Sequence, residues 1–184
     1  MVRYGWQFLI TSNWNPVDDE YGAGAAIYGT LVTSLLSLLI AVPLGIGTAI
    51  FITENIIPQK IRNFIGLMVE LLAAIPSVVL GLWAIFVMEP FIRPGLEILY
   101  NYFGWIPLFS SPPMGPGTLP AVLILVVMIL PIITAITRDS LKQVPEKLIQ
   151  AAYGVGTTRW GAIMNVTLPA AISGIVGGVM LALG

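Results

Sequence analysis

Apolar residues in this chain run together in stretches long enough to cross a membrane, and polar residues gather in the short segments between them. A crossing helix needs about 20 such residues at about 1.5 Å of rise each. No charged side chain falls between Glu20 and Glu54, which predicts a first span over residues 27–52. A second predicted span, 64–88, carries one carboxylate, Glu70. A third covers 119–137, and a fourth opens near Pro169 and runs to Gly184, so the expectation is all-α, with three full spans plus one partial.

Between the last two spans lies a polar, hairpin-like stretch, 145–169. Pro145 suits the first turn of a helix, where its missing N–H would be unpaired anyway. A short helix then reads from Glu146 to Tyr153, and Gly154 and Gly156 end it through their freedom to take positive φ. Thr157 or Thr158 caps a second helix that opens at Arg159 and Trp160.

Charge sets the expected orientation. Lys60 and Arg62 lie between the first two spans, and Arg138, Lys142, Lys147 and Arg159 lie between the last two, whereas the other side has only Arg3 and Arg93. The excess of Lys and Arg marks the cytoplasmic side. The acidic run Asp18, Asp19, Glu20 and the loop 89–117 then face outward. That loop holds Trp105, Pro107, Phe109, Pro112, Pro113, Pro116 and Gly117, a composition that makes a stiff aromatic surface. It suits docking of a soluble binding protein, or an aromatic belt at the membrane interface.

The composition narrows the function. Of 184 residues, 57% are hydrophobic and 9% charged, far below the roughly 25% charged residues of soluble domains. Eight scattered basic residues and a net charge of −1 exclude a nucleic-acid partner, because phosphate-backbone binding needs clustered Lys and Arg. With neither Cys nor His, the chain has no thiolate chemistry and lacks the commonest metal ligand and general base. No enzyme activity and no cofactor are expected within it. The first twenty residues include Asn13, Pro16, Asp18 and Glu20 and show no removable signal peptide. No Gly-x4-Gly-Lys-Ser/Thr loop occurs, so a nucleotide would have to bind a partner.

The polar stretch carries a resemblance. Gln150, Ala151, Ala152, then Gly156, then Val166, Leu168 and Pro169 reproduce the spacing of the cytoplasmic signature of ABC importer permeases, with Gln for the usual Glu and Val for Ile. Outside it, Asn13–Val17 with Tyr28–Leu31, the string Glu70–Val79 with Gly81, Leu82 and Trp83, the run Pro107–Ser110, and Ile129–Pro131 resemble the C-type permease subunits of phosphate-specific transport systems. The resemblance covers nearly the whole chain. It implies a type I importer fold and a permease subunit of an ATP-driven phosphate importer that forms the translocation path by alternating access. Residues 1–24 would be an extracytoplasmic segment, and 25–184 a permease transmembrane domain with cytoplasmic coupling helices at about 140–168. The implied partners are a second permease subunit, a dimeric ABC ATPase that binds ATP and Mg, an extracytoplasmic phosphate-binding protein, phosphate itself and the lipid bilayer. Members of the family have a further span before the Trp-Asn-Pro segment and an Arg-Ala-Ile-Gly-Glu pattern after the final Leu-Gly. The chain is therefore expected to be truncated at both ends. A permease for another oxyanion or small solute, and a passive channel or scaffold, are the alternatives.

Expected ATPase-coupling residues are Gln150, Ala151, Ala152, Gly156, Arg159 and Trp160. Expected residues of the translocation path are Glu70, Pro76 and Ser77. An ionisable group inside a span is costly and points to function, and at helical spacing Glu70 shares a small, polar face with Ala73, Ala74, Ser77 and Gly81. Glu70 would gate the path or pair with an arginine, or else make a packing hydrogen bond. Pro76 would kink this span, as Pro43 and Pro131 would kink theirs. Thr30, Ser34, Ser37, Ala41, Gly45 and Thr48 form a small face on the first span, and Gly174 and Gly178 form another on the last. Both read as close helix packing.

Overall fold

A computed structural model describes residues 5–15, 20–54, 57–106 and 117–183. A short helix, α1 (Gln7–Ile10), and a two-residue antiparallel bridge pairing Trp14 with Tyr21 and Asn15 with Glu20 lead into α2 (Gly24–Thr53). This 30-residue helix runs through Pro43. Three of its hydroxyls bond within the helix: Thr33 donates to the Gly29 carbonyl at 2.8 Å, Ser37 to Thr33 at 2.7 Å and Thr48 to Leu44 at 2.7 Å. In an apolar surround such local bonds replace water.

Next come α3 (Gln59–Ala73), α4 (Ser77–Trp83), a π-type stretch (Ala84–Met88) and α5 (Glu89–Phe103). The long α6 (Thr118–Lys142) is followed by α7 (Glu146–Gly154), α8 (Arg159–Ala162), a second π-type stretch (Ile163–Thr167) and α9 (Leu168–Ala182). Among the described residues four helices are long and apolar enough to cross a membrane: Gly24–Thr53, Ser77–Phe103, Thr118–Lys142 and Arg159–Ala182.

The centre is α6. It lies parallel to α2: Ser37 donates to the Val122 carbonyl at 3.2 Å, and a Cβ built on Gly45 would stand 2.7 Å from Cγ2 of Ile133. Glycine at 45 is what lets the two backbones close on a seam of Ala41, Val122, Val126 and Ile133. Helix α9 packs antiparallel on another side of α6, with Gly174 against Ser140 and Gly178 against Ile136. The packing expected of Ser37, Ala41, Gly45, Gly174 and Gly178 is thus observed, whereas Thr30 is exposed. At one end Ala49, Ile50, Leu141, Val144, Ile163, Ala171 and Ile175 knit α2, α6 and the last long helix together. Leu80, Ala84 and Ile124 form a smaller cluster toward the other end. Large apolar side chains such as Leu35, Leu39, Val78 and Phe86 face outward. Only 28% of the apolar window of α2 is buried inside the chain, so the rest needs lipid or neighbouring subunits as cover.

Two expectations about the spans need correcting. The predicted 64–88 span is not one helix. It breaks after Ala73, and Pro76 stands in extended conformation (ψ 137°) as the N-cap of α4. The two pieces together follow α6 along its length, from Gly66 and Glu70 beside Arg138 to Glu89 beside Gly117 and Pro120. Residues 89–103, expected in an outer loop, are helical, and Glu89 is buried.

The fourth span is not partial. It is a 24-residue helix that begins at Arg159, so the second short helix expected in the polar stretch is its first turn. Pro169 does not start this helix because the π-type stretch ends two residues before it. A proline ring clashes with the carbonyl four residues back, and a wider π turn relieves that clash. Thr167 Oγ donates to the carbonyl of Ala162, five residues back, at 3.4 Å. Pro90 follows the other π-type stretch in the same way.

Candidate functional site: the basic end of the bundle

The polar corner forms as a capped turn. Helix α7 ends in a Schellman-type closure: Gly156 N–H donates to Tyr153 O at 2.9 Å and Thr157 N–H to Ala152 O at 3.2 Å. Gly156 takes φ +83°, a conformation that a side chain disfavours. Gly154 remains inside the helix, so of the two expected terminators only Gly156 acts as one. Thr158, rather than Thr157, caps α8, its hydroxyl accepting from Gly161 N–H at 3.2 Å. Thr157 Oγ instead gives the Ala152 carbonyl a second bond at 2.8 Å.

Gln150, Ala151, Gly156, Arg159 and Trp160 are exposed together at this corner. Ala152 is buried and so cannot present its side chain to a partner as expected; it holds the corner against the bundle. Leu148, Tyr153 and Val155 are exposed apolar neighbours. This apolar surface lies outside the four long helices, where exposed apolar side chains meet either another protein or the membrane.

Beside the corner, the ends of α2 and α6 and the start of α3 enclose a cavity of about 510 Å³. Thr53, Arg62, Asn63, Glu70, Arg138 and Lys142 are its polar lining. Arg138 Nη1 donates to Glu70 Oε1 at 3.3 Å, joining residues 68 apart in sequence. Arg138 Nε reaches Asp139 at 3.4 Å. The Glu70 side chain is 65% exposed and that of Arg138 25% exposed, so this pair sits at an edge of the bundle rather than deep within it. Thr53 Oγ and Arg62 Nε are shielded from solvent and have no hydrogen-bond partner.

The other path candidates are elsewhere. A smaller cavity of about 50 Å³ continues from Glu70 past Ala73 to Pro131 and Thr134. Pro76 and Ser77 line neither cavity, and both are exposed. The face expected to join Glu70 with Ala74, Ser77 and Gly81 does not form, because the helix that would carry it ends at Ala73. Conversely, Arg62, Arg138 and Lys142 were legible in the sequence only as markers of orientation. Arg138 and Lys142 share a face of α6 at i,i+4, but nothing in the sequence shows that Arg62, on α3, joins them at one cavity. Among the described residues no three His, Cys, Asp or Glu side chains gather as a metal would require.

Residues 41–184, which include the cavity and the corner, match the family described as the inner membrane component of binding-protein-dependent transport systems. The chain belongs to this family. It is a multi-pass component of the inner membrane. Relatives include the phosphate transport system permease protein PstC of Mesorhizobium japonicum, 48% identical over 189 residues, covering 100% of this chain and 58% of that protein. The protein of the same name from Pasteurella multocida is 44% identical, covering 98% of this chain and 58% of its own length. The chain thus spans a little over half the length of these relatives. Among solved structures, an inward-facing MetNI methionine ABC transporter superposes with a TM-score of 0.57 at 22% identity, covering 85% of this chain and 63% of that one. That likeness establishes the fold alone.

Proposed function

We propose that the chain is the core of a permease subunit in an ATP-driven phosphate importer, and that it forms part of the solute path by alternating access. The observation that carries this is the 48% and 44% identity, over 100% and 98% of the chain, to proteins named phosphate transport system permeases. The partners would be a second permease subunit, an extracytoplasmic phosphate-binding protein and a dimeric ABC ATPase that holds ATP and Mg. The end where Lys60, Arg62, Arg138, Lys142, Lys147 and Arg159 gather would face the cytoplasm.

In this reading Gln150, Ala151, Gly156, Arg159 and Trp160 form the surface that meets the ATPase. Helix α8 is the first turn of the 24-residue helix Arg159–Ala182, which packs along α6. A push on the corner would therefore act directly on a crossing helix, without a flexible joint between them. Glu70, paired with Arg138, would sit at the cytoplasmic mouth of the path, and the break at Pro76 would let α3 and α4 move separately.

The test is uptake of radiolabelled phosphate into proteoliposomes that hold the intact permease, its ATPase and the binding protein. Uptake that requires both ATP and the binding protein is the expected result. Uptake without ATP would make the chain part of a passive channel, and uptake of a different oxyanion with phosphate excluded would reassign the substrate.

A further inference from the structure

The cavity at the basic end is built to receive negative charge. Three cations, Arg62, Arg138 and Lys142, line it together with one carboxylate, Glu70. Among the described residues, the only carboxylates within 4.0 Å of these cations are Glu70 and Asp139, and both contact Arg138. Arg62 and Lys142 thus face the cavity without an ion partner, and Thr53 Oγ and Arg62 Nε have no hydrogen-bond partner. Of the other hydroxyls in the long helices, those of Thr33, Ser37, Thr48 and Thr134 close onto carbonyls four residues back, and the buried Thr137 Oγ on α6 also has no hydrogen-bond partner.

We propose that this cavity binds a phosphate-class oxyanion, held by Arg62, Arg138 and Lys142, with Glu70 competing for Arg138. If the anion is the transported solute, the site is an exit station, and this assignment rests on the importer function proposed above. If it is the phosphate of an anionic lipid, the site anchors the permease at the membrane surface. The recognition chemistry is shared: forked guanidinium donors and a mobile ammonium suit an oxyanion with several acceptor oxygens. A volume of about 510 Å³ leaves room for water beside an anion, so the anion keeps part of its hydration. Binding is then weak enough to permit release. An occupant takes up donors of Arg138 and loosens its bond to Glu70 on α3.

This chain contains no Cys, so one introduced thiol can report on the cavity once any cysteines elsewhere in the complex are replaced. Asn63→Cys is introduced into the intact permease, the complex with its ATPase is placed in phosphatidylcholine nanodiscs, and alkylation by an uncharged maleimide is timed. Inorganic phosphate at about 10 mM, with ionic strength matched by chloride, is expected to slow labelling about twofold, the effect of half occupancy. Adding Arg62→Gln and Lys142→Gln should abolish that protection. In nanodiscs containing phosphatidylglycerol but no phosphate, protection that the same two substitutions remove assigns the oxyanion to a lipid headgroup. Labelling rates unchanged in both arms, or equal protection in the substituted protein, overturn the site. Protection by phosphate in a complex that performs no ATP-driven phosphate uptake would keep the site while removing the importer function.

Discussion

Each end of the bundle holds a Glu–Arg pair, and the two are made in opposite ways. At the end away from the basic cavity Glu89 and Arg93 lie one turn apart on α5, with the Arg93 Nη2 to Glu89 Oε1 distance 3.1 Å. The Glu89 side chain is only 11% exposed, beside an apolar cavity of about 240 Å³ lined by Ala84, Ile85 and Ile124, and Arg93 is its one ion partner among the described residues. At the basic end Glu70 and Arg138 come from different helices, and the carboxylate is 65% exposed among three cations. The Glu89–Arg93 pair neutralises a buried charge and is fixed by helix geometry. The Glu70–Arg138 pair lies at an exposed edge of the chain, shares Arg138 with Asp139, and has other cations within the same cavity. A pair of the first kind holds a structure together; one of the second kind can exchange partners as helices move.

The broadest test of this contrast is whether the two ends lie on opposite faces of the membrane. Single cysteines placed at Lys60 and Lys147 should resist a membrane-impermeant thiol reagent in intact cells, and one at Asn15 should label fully. The reverse pattern would turn the basic end outward and remove the proposed ATPase contact. Ser110, a further site for the same test, lies outside the described residues.

Next in size is Gly156→Trp, expected to abolish ATP-driven phosphate uptake and co-purification of the ATPase while membrane insertion persists. Space is not the obstacle within the chain, since nothing lies within 4 Å of a Cβ at this position. The positive φ is, at about 1–2 kcal/mol for a residue with a Cβ, together with a bulky ring on the contact surface. Gly95→Trp on α5, where a Cβ also meets nothing, should leave uptake unchanged. If the two variants behave alike, the corner has no special role.

The pairs themselves can be broken one at a time. Arg93→Leu strands the buried Glu89 carboxylate and should destabilise the protein by about 2 kcal/mol, read as a lowered melting midpoint in detergent; adding Glu89→Gln should recover most of the loss. A melting point unmoved by Arg93→Leu would show that the Glu89–Arg93 pair stabilises nothing. Glu70→Gln should cost no measurable stability, because an exposed pair contributes about 0–1 kcal/mol. Its expected effect is on transport, an uptake rate lowered by more than about twofold, or under about 0.5 kcal/mol at that threshold. Uptake within that limit would reduce Glu70 to a surface residue.

The sequence by itself determined that the chain crosses a membrane several times, which end carries the positive charge, where the polar corner falls and which small residues seam the helices. Those features depend on run length, local spacing and side-chain size, all of which act over one or two turns. The Glu89–Arg93 pair, at i,i+4, came into reach only because residues 89–103, expected in a loop, are helical. Tertiary structure decided what each proline does. Pro76 and Pro145 stand extended at helix starts, whereas Pro90 and Pro169 are carried through by the π-type stretches just upstream. The ring's clash is the same in each case, and only packing of the flanking helices sets whether the backbone widens or breaks. Tertiary structure alone likewise brought Glu70 and Arg62 on α3 to Arg138 and Lys142, which share one face of α6 at i,i+4, because the parallel pairing of α2 with α6 and the antiparallel run of α3 fix which helix ends meet. A charge pair 68 residues apart leaves no periodic trace in a single sequence, so the anion-receiving cavity became visible only once the helices were packed.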